Sequence, residues 1–337
     1  MKKIFVNIAS YRDNLLAATL YSLMRNESGR NQITYGVFEQ NHYENSLEKT
    51  QPDLIYDPRV RYKLIGPEFS DGVVWARSIN AMQLDDEEYM YQIDSHMLFD
   101  KNWDHHLILD FNRAKSLSGD DKVILSSGTK NFELNGNQIV KHTLTEDITV
   151  KFGYYQFRKD LQLRVHGPWI SATEEVTPGI HAVAGNFFTV AKWVKDVGYN
   201  TRLFFDLEEQ FMAISSILAG YKIFHQRRVK CYHYLGAAKH KSKQEIEPVI
   251  PIEKIEHKRR RETEEFINYI YSLSEEQLNY YKDITGVDYI NRKLEDRAIS
   301  RIAKPDPSLE VDWEIPIISE SEPIKANEEP SKEIENE

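Results

Sequence analysis

An α/β fold with a mostly parallel central sheet is what this 337-residue sequence predicts. Three observations carry that expectation. Short strand-like runs alternate with helix-period segments through the first hundred residues, and their spacing suits right-handed crossover units. Residues 3–9 alternate and are apolar enough for a buried strand. Finally, Ser10, Arg12, Glu39 and Asp94 fall at or just past the ends of those runs, at the carboxyl edge where such sheets bind ligands.

Residues 3–9 read as a buried strand that Ser10-Tyr11-Arg12-Asp13 ends. Leu15, Leu16, Thr19, Leu20 and Leu23 then recur at helical spacing. Ile33 to Glu39 and Val60 to Ile65 are the second and third strands. A helix is expected over 74–84 and a strand over 88–94. Lys122 to Ser127 is strand-like, and the Asn135-Gly136 pair marks a hairpin within Asn131 to Val140. Ile180 to Val190 reads as a strand interrupted at Gly185, where backbone can approach closely. Glu208 to Leu218 is helical and stops at Gly220. Tyr221 to Tyr234 reads as strand. Lys254 to Tyr271 is a charged amphipathic helix, and Ser274-Glu275-Glu276-Gln277 opens another through a capping box. The organisation expected is a large α/β domain over 1–250, a helical extension over 251–304 packed on it, and an acidic disordered tail over 305–337.

The net charge of −10 is unevenly distributed. Residues 306–337 hold eleven acids and two bases, a balance of −9, so the remainder is near neutral and bulk charge argues neither for nor against a nucleic-acid partner. That tail is rich in Glu, Pro, Ser and Lys and lacks periodicity. A single cysteine, Cys231, excludes an intramolecular disulfide and suits a reducing compartment. No run of 18 apolar residues predicts a membrane span, and the first apolar run is too short for a signal peptide. A soluble, cytoplasmic protein is the expectation.

The most informative stretch is Tyr91-Gln92-Ile93-Asp94-Ser95-His96, an expected strand end closing in an Asp-X-His triplet. Side chains two apart on a strand share a face, so Asp94 and His96 can hold one divalent cation and leave positions open for phosphate oxygens. Alone, the triplet reads equally well as a turn aspartate beside a hydrogen-bonded histidine.

Four blocks in order widen the view: Ile4 to Leu23, Ala76-Arg77 to Trp103-Asp104, Ala184-Gly185-Asn186-Phe187-Phe188 leading to Glu208-Glu209 and Ala219-Gly220-Tyr221, and Tyr232-His233-Tyr234. Together with Thr285-Gly286-Val287-Asp288-Tyr289, they resemble the metal-dependent GT-A glycosyltransferases of the GlcNAc-transferase group that modifies protein hydroxyls. More distantly they resemble the polypeptide GalNAc-transferases. The chain departs from the family pattern where Asp206-Leu207 precede Glu208-Glu209 in place of a glycine, and where Ser215-Ser216-Ile217 replace a mid-helix aromatic. Both departures bear on the sugar and acceptor rather than on the reaction type.

The resemblance implies a GT-A fold, Rossmann-like and specific for nucleotide-diphospho-sugars. It implies transfer of GlcNAc or a related sugar from a UDP-sugar to a hydroxyl, with retention, and Mn²⁺ or Mg²⁺ held by Asp94, His96 and His233. A core histidine between two tyrosines is the other reading of His233. Arg77 is expected to face the diphosphate, or else to form a surface salt bridge. Ser10, Arg12 and Glu39 suit the ribose and uracil, or are simply turn residues. Gly185 and Asn186 would bring backbone to the donor sugar, and Glu208 or Glu209 would face the sugar or the acceptor hydroxyl. Two acids at a helix start are also explained by the helix dipole alone. Trp169 stacks on a sugar or sits in a core.

The run His257-Lys258-Arg259-Arg260-Arg261 continues into Glu262, Glu264 and Glu265, which suggests a solvated helix with internal ion pairs. His105 and His106 diverge on their helix. The acceptor is a protein, a glycan or a hydroxylated DNA base. In the DNA case, Lys239 to Lys243 and Lys258 to Arg261 would track phosphates. The competing classes are a non-catalytic nucleotide- or glycan-binding module and a metal-dependent hydrolase or nucleotidyltransferase.

Overall fold

The structure is a computed structural model and describes residues 1–136, 138–142, 147–234, 236 and 243–300. Residues 305–337, expected to be an acidic tail, and most of Lys239 to Lys243 lie outside the described residues.

The chain opens with β1 (Lys3–Tyr11), α1 (Leu16–Arg25), β2 (Gln32–Gln40), the one-turn helices α2 (Leu47–Thr50) and α3 (Pro52–Ile55), and β3 (Val60–Ile65). It continues through α4 (Val73–Ala81), β4 (Tyr89–Asp94), β5 (Met97–Phe99), α5 (Trp103–Ser118) and β6 (Val123–Ser126). Short strands follow: β7 (Lys130–Asn135), β8 (Gln138–His142), β9 (Ile148–Val150), β10 (Gly153–Phe157), β11 (Leu163–His166), β12 (Trp169–Ser171) and β13 (Thr177–Gly179). Then come β14 (Asn186–Val190), α6 (Trp193–Asp196), α7 (Glu208–Leu218), β15 (Lys222–His225) and β16 (Cys231–Tyr234). The C-terminal part holds α8 (Lys243–Ile246), α9 (Ile252–Ser272), α10 (Glu275–Thr285), β17 (Val287–Asp288) and β18 (Lys293–Leu294).

The eight-stranded central sheet runs β13-β15-β6-β14-β4-β1-β2-β3. β4, β1, β2 and β3 are mutually parallel, as is the pair β15–β6, whereas β14 runs antiparallel to both its neighbours. Alternation along β1 sends Ile4, Val6 and Ile8 into a core with Leu16, Leu20 and Trp103. Phe5 points the other way, into a core with Trp193 and Met212 of α6 and α7 and with Phe266 and Ile270 of α9. Both faces of the sheet are thus covered, as its apolar strands require.

Most sequence-derived elements appear at their expected places, including the Asn135-Gly136 hairpin, with Gly136 at φ +60°, and the capping box at Ser274. Two readings need correction. Ile180 to Val190 is strand only from Asn186 onward, because the backbone at Ala184 serves side chains instead of a ladder: its N–H donates to Glu209 and its carbonyl accepts from Gln92. Tyr221 to Tyr234 is two strands in two sheets, split at the arginines, where Arg227 turns away to bind Asp110 at 2.6 Å.

A third correction concerns α9. Its basic run pairs mostly with other segments: Lys258 and Arg261 with Asp71, and Arg259 with Asp206 and Glu245. Only the Arg259–Glu262 pair is internal to the helix.

Candidate active site and metal centre

Strand register assembles the site. Parallel pairing sets Ala9 opposite Asp94, so the last residues of β1 and the turn after it, as far as Asp13, lie beside Ser95 and His96. β14 begins with Asn186 opposite Ile93, which places Gly185 against Asp94. A short second sheet pairs β16 with β5, His233 opposite Met97, which sets His233 next to His96. Segments up to 137 residues apart in sequence, His96 and His233, thereby converge on one point.

Asp94, His96 and His233 offer one oxygen and two nitrogens that all lie within 4.8 Å of one another. His233 Nε2 stands 3.4 Å from Asp94 Oδ2 and 2.9 Å from His96 Nε2. Two of the three donors, His96 and Asp94, are aimed by a further residue. Asp13 Oδ2 lies 2.6 Å from His96 Nδ1, so a proton on Nδ1 leaves the Nε2 lone pair facing the cluster. Asp13 is itself fixed by Ser95 Oγ at 2.8 Å and the Leu15 N–H at 2.9 Å. Burial would raise the Asp13 carboxyl, but the hydrogen bond and charge of His96 prevail and bring it down to about 2. Asp94 is held well below the usual carboxylate range: burial opposes this, and the His233 hydrogen bond with the Arg77 charge overcomes it.

Arg77 is buried and lies between two carboxylates, bonding Asp94 Oδ1 at 2.5 Å through one nitrogen and Glu208 through another. It therefore fixes the Asp94 carboxylate rather than facing open space. Glu208 is equally buried, and its carboxyl is pushed up to about 7, by burial first, with Arg77 pulling the other way.

A cleft of about 290 Å³ opens beside the cluster, lined among others by Asp94, His233, Gly185, Glu209, Phe152 and Trp169. Glu209 presents a side chain 37% exposed, while its oxygens are held from within by the Ala184 N–H at 2.9 Å and His181 Nε2 at 3.3 Å. Gly185 has a steric reason to be glycine: a Cβ there would press on Asp94 Oδ2 and sit 2.9 Å from its Cγ.

Of the residues the sequence singles out, Asp94, His96, His233, Gly185 and Glu209 come together here. Others point elsewhere. Asn186 is buried and bonds Tyr91 and the Ser127 carbonyl. Glu39 is buried and accepts from Asn41, the Leu47 N–H and Tyr62, so it pins the loop after β2. Ser10 is buried level with Glu39, and its Oγ has no partner among the described residues. Arg12, at φ +48°, donates to the Glu247 carbonyl at 2.9 Å. Asp13 and His181 carry parts in the site that residue types alone did not assign. Asp13 was within reach, because the parallel register sets the end of β1 and the turn after it beside the Asp94 triplet.

Residues 3–57 and 45–280 match the glycosyltransferase family described as Glycosyltransferase (GlcNAc). The chain belongs to that family. It is accordingly a glycosyltransferase, and its fold is the GT-A fold. Among solved structures it is similar to GalNAc-T7 with UDP, GalNAc and Mn²⁺, at 13% identity and a TM-score of 0.58 over 83% of this chain. The likeness covers 50% of the GalNAc-T7 chain, so the enzyme described here spans half that length. S. aureus TarS 1-349 in complex with UDP-GlcNAc matches at 14% identity and a TM-score of 0.43, over 88% of this chain and 83% of that one. No curated protein matches by sequence.

Proposed function

We propose that this glycosyltransferase moves GlcNAc, or a closely related sugar, from a UDP-sugar to a hydroxyl acceptor, with Mn²⁺ or Mg²⁺ held by Asp94, His96 and His233. The convergence of those three side chains at the carboxyl end of β4 carries the reading. One carboxylate oxygen and two imidazole nitrogens, with Asp94 and His96 each fixed by a second residue, suit a borderline divalent ion, and nitrogen donors favour Mn²⁺. The GalNAc-T7 structure, with UDP, GalNAc and Mn²⁺, supports the same choice of ion. When bound, the ion supplies Lewis-acid neutralisation of charge on the departing diphosphate.

The protein's own part is orientation. Arg77 and Gly185 hold the Asp94 carboxylate at one position, and Asp13 keeps the His96 lone pair turned inward. Glu209 reaches the cleft with both oxygens already engaged, which suits it to orient the sugar or the acceptor hydroxyl rather than to take a proton. A retaining transfer, in which the leaving diphosphate accepts that proton, matches such a site. Trp169 offers a ring at the cleft wall for a sugar face. Lys258, Arg259 and Arg261 are committed to ion pairs, so a protein or glycan hydroxyl is favoured over a DNA base as acceptor.

The test is UDP release across a panel of UDP-sugars, with Mn²⁺ or with EDTA, for the wild type and Asp94→Ala. Metal-dependent release from one donor, lost in the variant, is the expected result. Release that persists in EDTA or in Asp94→Ala overturns the metal assignment, and no turnover of any donor overturns the reaction.

A further inference from the structure

The turn that delivers Glu208 and Glu209 to the site is held by a residue of α9. Glu262 is 2% exposed, and its Oε1 accepts three backbone N–H groups: Phe204 at 3.2 Å, Phe205 at 2.7 Å and Leu207 at 3.0 Å. Leu207 is the residue that caps α7, so this one oxygen satisfies donors at the entry to the helix that bears Glu209. Arg259 braces the arrangement, 3.2 Å from Glu262 Oε2 and 3.0 Å from Asp206. The same turn reaches α4, since the Phe204 carbonyl accepts the Val73 N–H at 3.1 Å and packs where Gly72 leaves no room for a Cβ.

We propose that Glu262 is a positioning residue of the transferase site: from the C-terminal helix it sets where the α7 start lies, and through it where Glu209 enters the cleft. The inference rests on the reading of Glu209 as a residue of the transfer site. A buried carboxylate on three N–H groups is a stiff anchor, because losing it leaves those donors unsatisfied inside the protein. The Ala184 N–H, which donates to Glu209 Oε1, reports on Glu209 from the far side of the cleft.

Hydrogen exchange on the full-length protein tests this, with the Val6 amide of β1 as reference. Glu262→Ala is expected to speed exchange at Phe205, Leu207 and Ala184 by about tenfold or more relative to Val6. Glu262→Gln keeps an acceptor oxygen of the same reach and is expected to stay near wild type. Glu209→Ala should speed Ala184 alone, and exposed Glu264→Ala should change none of them. Unchanged exchange at Ala184 in Glu262→Ala overturns the proposal. So does a Glu262→Gln protein as loose as Glu262→Ala, since charge and not the acceptor would then be what matters.

Where a UDP-sugar is turned over, Glu262→Ala should lower kcat by about tenfold with the donor KM within about threefold. A shift confined to KM overturns it. The exchange measurement decides the inference even if no UDP-sugar is turned over, and that result removes the proposed reaction instead.

Discussion

Gly185→Ala tests the proposed metal site through one contact with Asp94. The added Cβ would press on Asp94 Oδ2 and stand 2.9 Å from Asp94 Cγ, where carbon atoms require about 3.5–4.0 Å. The carboxylate must therefore move by about 0.5–1 Å. An ordinary aspartate would rotate away, but Asp94 is tied on both oxygens, Oδ1 by Arg77 at 2.5 Å and Oδ2 by His233 at 3.4 Å. Moving it breaks one of those ties and pulls a ligand oxygen off its place. The backbone at 185 is not in the left-handed region, so alanine adds no torsional strain. Disturbing the support of a metal ligand costs about 10- to 100-fold in affinity, and direct displacement belongs at the upper end. Calorimetric titration of Mn²⁺ into wild type and Gly185→Ala, with the melting temperature as a control for folding, reads the effect. UDP release should fall in parallel. A Gly185→Ala protein that binds Mn²⁺ as tightly as wild type refutes the geometry, because Asp94 would then not be a ligand held at that position.

Other expected outcomes follow from the same neighbours. Asp13→Asn frees the His96 ring, and Mn²⁺ affinity should drop about 10- to 100-fold by the same titration, whereas an unchanged affinity dismisses Asp13 as the aiming group. Asp13 is depressed in the folded protein to about 2, so its contribution to stability is complete above the unfolded value near 3.8 and is lost as pH falls toward 2. Urea midpoints between pH 5 and 2.5 should fall less steeply in Asp13→Asn. Arg77→Met strands Glu208 as a buried, unpaired carboxylate and leaves Asp94 with His233 alone, and denaturant unfolding should show a loss of about 3–5 kcal/mol. A loss under about 1 kcal/mol contradicts the buried bridge. Glu208 has the opposite sign from Asp13. Its folded value near 7 exceeds its unfolded 4.5, so its contribution is present below 4.5 and is lost as pH rises through 7, and Glu208→Gln should flatten that limb of the melting profile.

The strands and the Asp94-His96 pairing were legible in the sequence because both are local. Ile4, Val6 and Ile8 announce a buried strand by themselves, and Asp94 and His96 lie two residues apart on a strand end. What it carried poorly was direction. Glu39, Asn186 and Glu208 are residues that chemistry uses, in places where chemistry happens, yet each turns inward to satisfy backbone or a buried arginine. At a strand end or a helix start, a shift of one residue exchanges the cleft for the core, and adjacent Glu208 and Glu209 show it: one is 2% exposed and the other forms cleft wall. Long-range pairing was the other gap. His233 reaches His96 only because β16 leaves the central sheet and pairs with β5, and the apolar run from Tyr221 to Tyr234 reads as one strand until Arg227 is seen bonding Asp110. The metal triad and the glutamate clamp on α9 therefore share a logic. Three parts of the site sit at a strand or helix end, and each is aimed by a partner distant in sequence: Asp13 for His96, Arg77 for Asp94, Glu262 for the start of α7. Those partners lie outside the cleft, so substitutions there should alter how the site is held while leaving its own side chains in place.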